Sequence, residues 1–400
     1  MSEGVTTLAT RGGRPLRIFL VAGEHSGDAL GAKLMAALKR DLGDTVVFSG
    51  VGGPEMAHEG LASLFPIEDV AVMGPMHILP ALPRIVRRVY QAMGAALAFR
   101  PDCVVIIDSP EFTHPIAKRI RKRAPHIPII DYVCPSVWAW RPGRAAKMAR
   151  YIDEVACLLP FEPEALQRLK GPHGTYVGHP LIERLDEIRS ADADGLRARL
   201  GIAGDAEVLA VLPGSRRSEV DRLLGVFGET IARLKAQGRA FECIVPAVAH
   251  VREKIEAASG TWTARTHVVS AGDKYAALRM SRAALAASGT VTLELALAGL
   301  PMVVAYKVDD LTAAVVKRLI TTDTAILANL VLGTERPFPQ FIQENCTAEK
   351  LSAAVSEILD QTPARAVQLE ALSRIPDKLL LAHGTPSERA AEVVIDIARR

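Results

Sequence analysis

Asp108 closes the apolar run Val104-Val105-Ile106-Ile107 and stands just before Ser109-Pro110. A carboxylate at the carboxyl edge of a buried strand can accept a proton as a general base once burial or a neighbouring acid raises its pKa. A turn-forming Asp ahead of a proline has the same signature. The neighbouring acid is available in Gly23-Glu24-His25-Ser26-Gly27-Asp28, which follows the apolar run Arg17-Ile18-Phe19-Leu20-Val21-Ala22. Glu24, Ser26 and Asp28 are candidates to face a substrate there, and they suit N-cap and first-turn positions of a following helix equally well. Glu111 and His114 share the neighbourhood of Asp108.

A second set of residues has the chemistry to hold phosphate. Leu212-Pro213-Gly214-Ser215-Arg216-Arg217 follows another apolar run, and the Arg216 guanidinium is a fork suited to two phosphate oxygens. Ser288-Gly289-Thr290 follows Ala284-Leu285-Ala286-Ala287 and opens a helix, offering free N–H groups and a positive dipole end to an anion. Glu294 lies one turn further on, within reach of a ribose held beyond the phosphates, by analogy with the ribose-binding acid of dinucleotide folds. Neither Gly23–Asp28 nor Gly50-Val51-Gly52-Gly53 has the G-x-G-x-x-G spacing, with Glu55 standing where the last glycine belongs, so nicotinamide dinucleotide binding is not expected. Asp192-Ala193-Asp194 spells a metal-binding D-x-D string but sits in a polar stretch, where it reads as helix capping.

Both sets require strands that end at loops and helices that begin there. Apolar β-branched runs alternate with helical patterns along the chain, which predicts α/β architecture with parallel, doubly wound sheets in each half. Strands are expected near 17–22, 46–51, 103–107, 128–133, 154–159 and 174–177, then near 207–212, 241–246, 266–269, 284–287 and 301–305. Helices are expected near 28–40, 54–60, 81–98, 112–123 and 143–149, then near 217–236, 248–258, 273–280, 290–298, 347–359 and 385–399. A length of 400 residues suits two domains. The expected divisions are a loose leader over 1–15, a first Rossmann-like domain over 16–180 and a second over 181–365, with helices over 366–400 packing back on the first. The two halves are expected to face one cleft.

Composition narrows the class. Hydrophobic content of 49% and charged content of 23% are ordinary for a globular chain, no apolar run approaches the roughly 18 residues needed to span a bilayer, and residues 1–14 lack the apolar core of a secretory signal. The cytoplasm is the expected compartment. Five scattered cysteines, Cys103, Cys134, Cys157, Cys243 and Cys346, show no zinc-site spacing and read as buried thiols.

The net charge is only +3, yet residues 84–150 hold thirteen Lys or Arg against four Asp or Glu. Within 73–89, Ile78, Leu79, Leu82, Ile85, Val86 and Val89 supply an apolar stripe and Arg84, Arg87 and Arg88 surround it. That pattern fits a core helix with a solvated basic edge, and also a segment lying on anionic lipid. Few aromatics interleave with the basic residues, so nucleic acid is not an expected partner.

Taken in order, the motifs resemble the lipid-A-disaccharide synthase family of GT-B glycosyltransferases over nearly the whole chain after residue 15. The resemblance rests on Val21–Asp28, Ala71-Val72-Met73-Gly74, Tyr132–Arg141 with its Pro-Ser-Val-Trp-Ala-Trp core, Leu159-Pro160-Phe161-Glu162, Leu212–Arg216, Ala287–Thr290 with Glu294, and Asn329-Leu330. It implies transfer of a diacylglucosamine unit from UDP-2,3-diacylglucosamine to the 6-hydroxyl of 2,3-diacylglucosamine 1-phosphate, with inversion and release of UDP. It further implies Asp108 as base, Glu24, Ser26 and Asn329 as other functional positions, and Gly214, Ser215, Arg216, Ser288, Gly289, Thr290 and Glu294 on the UDP side. No metal and no cofactor are implied. Acylated substrates imply docking at the cytoplasmic face of the inner membrane, with 73–89 as the contact. A homodimer formed by exchange of the carboxyl-terminal helices is left open. The chain departs from the commoner family pattern in Asp108-Ser109-Pro110-Glu111-Phe112-Thr113, where many relatives carry a second Asp and an Asn. Two rival readings are another UDP-sugar enzyme, such as a UDP-N-acetylglucosamine 2-epimerase, and a non-catalytic nucleotide-dependent module that recruits partners to membranes.

Overall fold

The computed structural model describes residues 14–71, 75–309, 313 and 319–400, with 75–79 described for backbone only. The expected leader, apart from Arg14 and Pro15, lies outside the described residues, as do Val72, Met73 and Gly74 and the side chains of Ile78 and Leu79. The chain forms two units, one of residues 1–180 with 381–400 and the other of 181–380.

The first unit is built from β1 Leu16–Ala22, α1 His25–Leu42, β2 Val46–Val51, α2 Pro54–His58, α3 Pro75–Phe99, β3 Cys103–Ile107, α4 Pro110–Arg123, β4 Ile129–Tyr132, α5 Gly143–Met148, β5 Glu154–Cys157, α6 Glu162–Arg168 and β6 His173–Tyr176. Its six strands lie in the order β2-β1-β3-β4-β5-β6, every pairing parallel. Because helices cover both faces, the inner strands are apolar on both sides. Phe19, Val21, Val104 and Ile106 enter one core, while Ile18, Leu20, Val105 and Ile107 enter the other with α1. Helix α3 begins six residues before the expected position 81 and carries Pro80 and Pro83 inside it.

The second unit continues with α7 Leu185–Ser190, α8 Ala193–Leu200, β7 Val208–Leu212, α9 Arg217–Ala236, β8 Glu242–Ala247, α10 Ala249–Ser259, β9 Thr266–Ser270, α11 Lys274–Met280, β10 Ala283–Ala287, α12 Val291–Leu297, β11 Met302–Tyr306, α13 Leu327–Val331, β12 Gln340–Ile342, α14 Ala348–Leu359 and α15 Pro363–Leu379. Its parallel sheet runs β12-β11-β10-β7-β8-β9. The three-residue β12 is too short for period-2 reasoning to detect. Asp192 caps α8, its Oδ1 accepting from the Gly195 N–H at 2.8 Å, the capping role expected of the D-x-D string.

The carboxyl terminus differs from expectation over 366–380. Helix α15 belongs to the second unit, where Gln368 both accepts from the Met302 N–H at 2.8 Å and donates to its carbonyl at 3.1 Å. Only from Leu381 does the chain rejoin the first unit, and α16 Pro386–Ala398 lies against α1. Ala391, Val394 and Ile397 are buried there with Leu34 and Leu38, and Arg40 pairs with Glu388. Ile397→Ala is expected to remove about 2–4 kcal/mol of stability, read as a fall in the Tm of the first unit by calorimetry. An unchanged Tm would mean that α16 is not part of that core.

Candidate functional site

In each sheet the strand order reverses once, and the ends of the strands flanking that point splay their loops apart into a crevice. In the first unit the flanking strands are β1 and β3, so the loop bearing Glu24 and the loop bearing Asp108 are neighbours. Gly23 makes the approach possible, since a Cβ at that position would stand 2.6 Å from Ser109 Cβ and 3.2 Å from the Phe112 ring. Asp108 and Ser109 hold φ of 51° and 44°, and Val133 at the end of β4 holds 90°. Such left-handed conformations cost non-glycine residues on the order of 1–3 kcal/mol each and cluster at functional sites. The Asp108 N–H donates to the Tyr132 carbonyl at 3.0 Å, and its Oδ1 accepts from the Ser109 N–H at 2.8 Å. Burial first, and the Glu24 charge second, push the Asp108 carboxyl up to about 6. Ser26 donates to Glu24 Oε1 at 2.8 Å, tying the two expected residues together on the same rim.

Asp28 does not join them. It is 1% exposed, and its carboxylate accepts from the N–H groups of Gly53, Glu55 and Met56 at 2.7, 3.0 and 3.1 Å. The side chain therefore caps α2 from a distance in sequence, which corrects the expectation that it faces a substrate. Glu111 is exposed and paired with Arg144 at 3.0 Å.

His114, near Asp108 in sequence, takes a packing role. It lies buried between the Tyr151 hydroxyl at 2.9 Å and the Asp131 carboxylate at 3.0 Å, locking α4 to β4 beneath the Asp108 turn. No local pattern around Asp131 signals this. Two motifs that look separate in sequence also form one contact: the Trp138 indole N–H donates to Glu162 at 3.1 Å and its ring meets Phe161 edge-on. Burial pushes Glu162 up to about 7. Cys134 and Cys157 lie beside Glu162 as a buried trio, but both carboxylate oxygens of Glu162 are taken, one by Trp138 and one by the Leu159 N–H at 3.0 Å. All five cysteines are free and buried.

In the second unit the reversal falls between β7 and β10, and the loops after these strands line a cavity of about 340 Å³. Its walls include Gly214, Ser215, Arg216, Ser288, Gly289 and Glu294, the residues expected to hold a nucleotide diphosphate. Gly214 turns there at φ 113°, a conformation that a side chain disfavours. Arg216 is 63% exposed, its guanidinium 3.0 Å from Glu219. Ser288 donates its hydroxyl to the Ala325 carbonyl at 2.7 Å. Pro246 in β8, Val248 just after it and Lys274 after β9 also line the cavity, and sequence reasoning missed them because they belong to other strands and their loops. Asn329, expected at the catalytic centre, is 1% exposed. Its amide donates to Thr324 and the Phe338 carbonyl and accepts from the Phe338 N–H. That use of every arm makes it a strut for residues 324–338.

The lipid-facing assignment also divides. Ile85 packs on the core beside buried Val89, and Arg88 is bound to Asp69 at 2.5 Å with its guanidinium over Phe65. Leu82, Val86 and Tyr90, spaced by four, are the exposed stripe, at 48, 43 and 50%. Arg84 and Arg87 stay exposed beside it.

The model of the family described as Lipid-A-disaccharide synthetase matches residues 18–391. The chain belongs to the lipid-A-disaccharide synthase family. It is 52% identical over 387 residues to the lipid-A-disaccharide synthase of Rhodopseudomonas palustris (strain HaA2), covering 96% of this chain and 97% of that one. It is 49% identical to that of Nitrobacter hamburgensis, covering 99% and 98%. Among solved structures, UDP-GlcNAc 2-epimerase from Neisseria meningitidis bound to UDP-GlcNAc superposes with a TM-score of 0.63 at 12% identity, covering 95% of this chain and 99% of that one. MurG from Acinetobacter baumannii gives 0.56 at 13%, covering 96% and 100%. These likenesses show the GT-B fold. As a lipid-A-disaccharide synthase family member, the chain is a glycosyltransferase that forms the lipid A disaccharide, using a nucleotide-sugar and a lipid acceptor. Gly23→Ala is expected to force Glu24 and Asp108 apart, cutting transfer at least tenfold, because roughly 1 Å of misplacement costs that much or more, while circular dichroism stays unchanged. Full activity would show that the loop contact is dispensable.

Proposed function

We propose that the enzyme transfers 2,3-diacylglucosamine from UDP-2,3-diacylglucosamine to 2,3-diacylglucosamine 1-phosphate in a single inverting displacement. The acceptor 6-hydroxyl oxygen attacks the anomeric carbon, the bond from that carbon to the UDP oxygen breaks, and the hydroxyl proton passes to Asp108. The carrying observation is a half-buried carboxylate held on a strained turn, its pKa raised to about 6 by burial and by Glu24. Such a group is ionised at neutral pH yet basic enough to take a proton. Glu24 tunes it, and Ser26 orients Glu24. Arg216 and the Ser288-Gly289-Thr290 turn offset the charge of departing UDP, and Glu294 accepts from the ribose. In this reading Asn329 takes no part in catalysis and supports the 324–338 segment, to whose Ala325 carbonyl Ser288 donates.

Incubation with both acylated sugars, followed by mass analysis, should give the disaccharide phosphate and UDP; UDP without disaccharide would favour a hydrolytic or epimerase-type reading. Asp108→Asn is expected to bind UDP normally and lose transfer by 10²–10⁴, about the size of a general-base contribution. Unchanged transfer would remove Asp108 from the role. Since the base must be deprotonated, kcat/KM should rise with pH to a plateau above about 6. In Glu24→Gln this limb should move down, though not to the ordinary 3.8, because burial, the larger cause, remains.

Acyl chains require an apolar surface near the site, and we place the membrane contact on Leu82, Val86 and Tyr90 with Arg84 and Arg87 at the anionic inner-membrane surface. Among the described residues no helix is long and apolar enough to cross a membrane. Val86→Asp with Leu82→Asp should abolish co-sedimentation with vesicles containing anionic lipid. Retained binding would put the contact elsewhere.

A further inference from the structure

Glu294 is 8% exposed in the wall of the second-unit cavity. The two hydrogen bonds described to its carboxylate fall on the same oxygen: Oε1 accepts from the Lys274 ammonium at 2.5 Å and from the Tyr275 hydroxyl at 3.2 Å. Lys274 lines the same cavity, and its Nζ lies 5.0 Å from the centre of the Tyr275 ring, while the Arg184 guanidinium stands 4.9 Å from it. Tyr275 thus has two cations near its ring and its hydroxyl on Glu294. Burial and the Glu294 charge push the phenol well above its ordinary value, so it remains a donor throughout the working range.

A carboxylate this buried is stable as an anion only with a cation or several donors beside it. Lys274 and Tyr275 meet that need at one oxygen and leave the lone pairs of the other. We propose that Lys274 is a positioning residue for nucleotide recognition, fixing Glu294 so that Oε2 accepts from the vicinal 2′- and 3′-hydroxyls of a nucleoside diphosphate. This inference rests on the proposed ribose contact of Glu294. It explains why the arrangement favours ribose: both hydroxyls meet a single pre-oriented anion, and a sugar lacking one leaves lone pairs unpaired in a buried wall.

The test is calorimetric titration of the full-length enzyme, Lys274→Met, Lys274→Arg, Tyr275→Phe and Glu294→Gln with UDP and 2′-deoxy-UDP, together with transfer kinetics. Wild type should prefer UDP. Lys274→Met should weaken UDP about fivefold to tenfold, the scale of a perturbed charge-assisted hydrogen bond, and bring the UDP to 2′-deoxy-UDP ratio toward one. It should also raise the donor KM more than it lowers kcat, and Lys274→Arg should restore the preference. Equal weakening of both ligands in Lys274→Met would identify Lys274 as a direct phosphate contact and overturn the proposal, as would an unchanged ratio. If Lys274→Met does not fold, Tyr275→Phe carries the test through a smaller narrowing of the same ratio. A Glu294→Gln enzyme with wild-type ratio would instead overturn the ribose contact itself. Collapse of the ratio in Glu294→Gln but not in Lys274→Met would remove only the role of Lys274.

Discussion

The contact between the turn after β1 and the turn after β3 is the constraint on which the proposed chemistry depends. It exists because the parallel sheet reverses its strand order there, and it closes because Gly23 carries no Cβ to meet Ser109 at 2.6 Å. Two carboxylates are thereby brought together on a backbone whose φ values of 51° and 44° are unfavourable for Asp108 and Ser109. Like charges and partial burial both disfavour ionisation. The result is a carboxyl that burial and the Glu24 charge push up to about 6, the group the proposed reaction uses as its base.

The surrounding structure holds that geometry in place. Asp28 draws three N–H groups of the β2–α2 segment onto the start of α1. The buried His114, Asp131 and Tyr151 fasten α4 and β4 beneath the turn, and Trp138 with Glu162 does the same for the loop after β4. The second unit repeats the plan with different residues, since Asn329 braces the 324–338 segment and Lys274 with Tyr275 fixes Glu294. In both units, polar side chains that look reactive in sequence are spent on holding loops beside the proposed site residues.

Much of this was legible before any coordinates. The runs at 46–51 and 103–107 and the helix at 217–236 coincide with β2, β3 and α9, because buried parallel strands and amphipathic helices are encoded by local hydrophobic pattern. Asp108, Arg216, Ser288 and Glu294 could be placed at the strand-end loops flanking each reversal because strand ends in such sheets are where ligands bind. Pro246, Val248 and Lys274 were not legible as cavity residues, since nothing within a few positions of them marks a ligand.

The order and approximate ends of β1 to β11 and of most of the longer helices, the family and the candidate acid were thus determined by sequence, through interactions spanning a few residues, whereas α6, α13, α15 and β12 were not. Which way each side chain faces was decided only by tertiary structure. Asp28 and Asn329 turned inward because backbone donors arrive from Gly53 and Phe338, 25 and 9 residues away. Ile85 and Arg88 left the exposed face of α3 because a core and Asp69 were there to receive them. A side chain has one orientation to give, and the partner that claims it is chosen by the packing of distant segments, which no local pattern records.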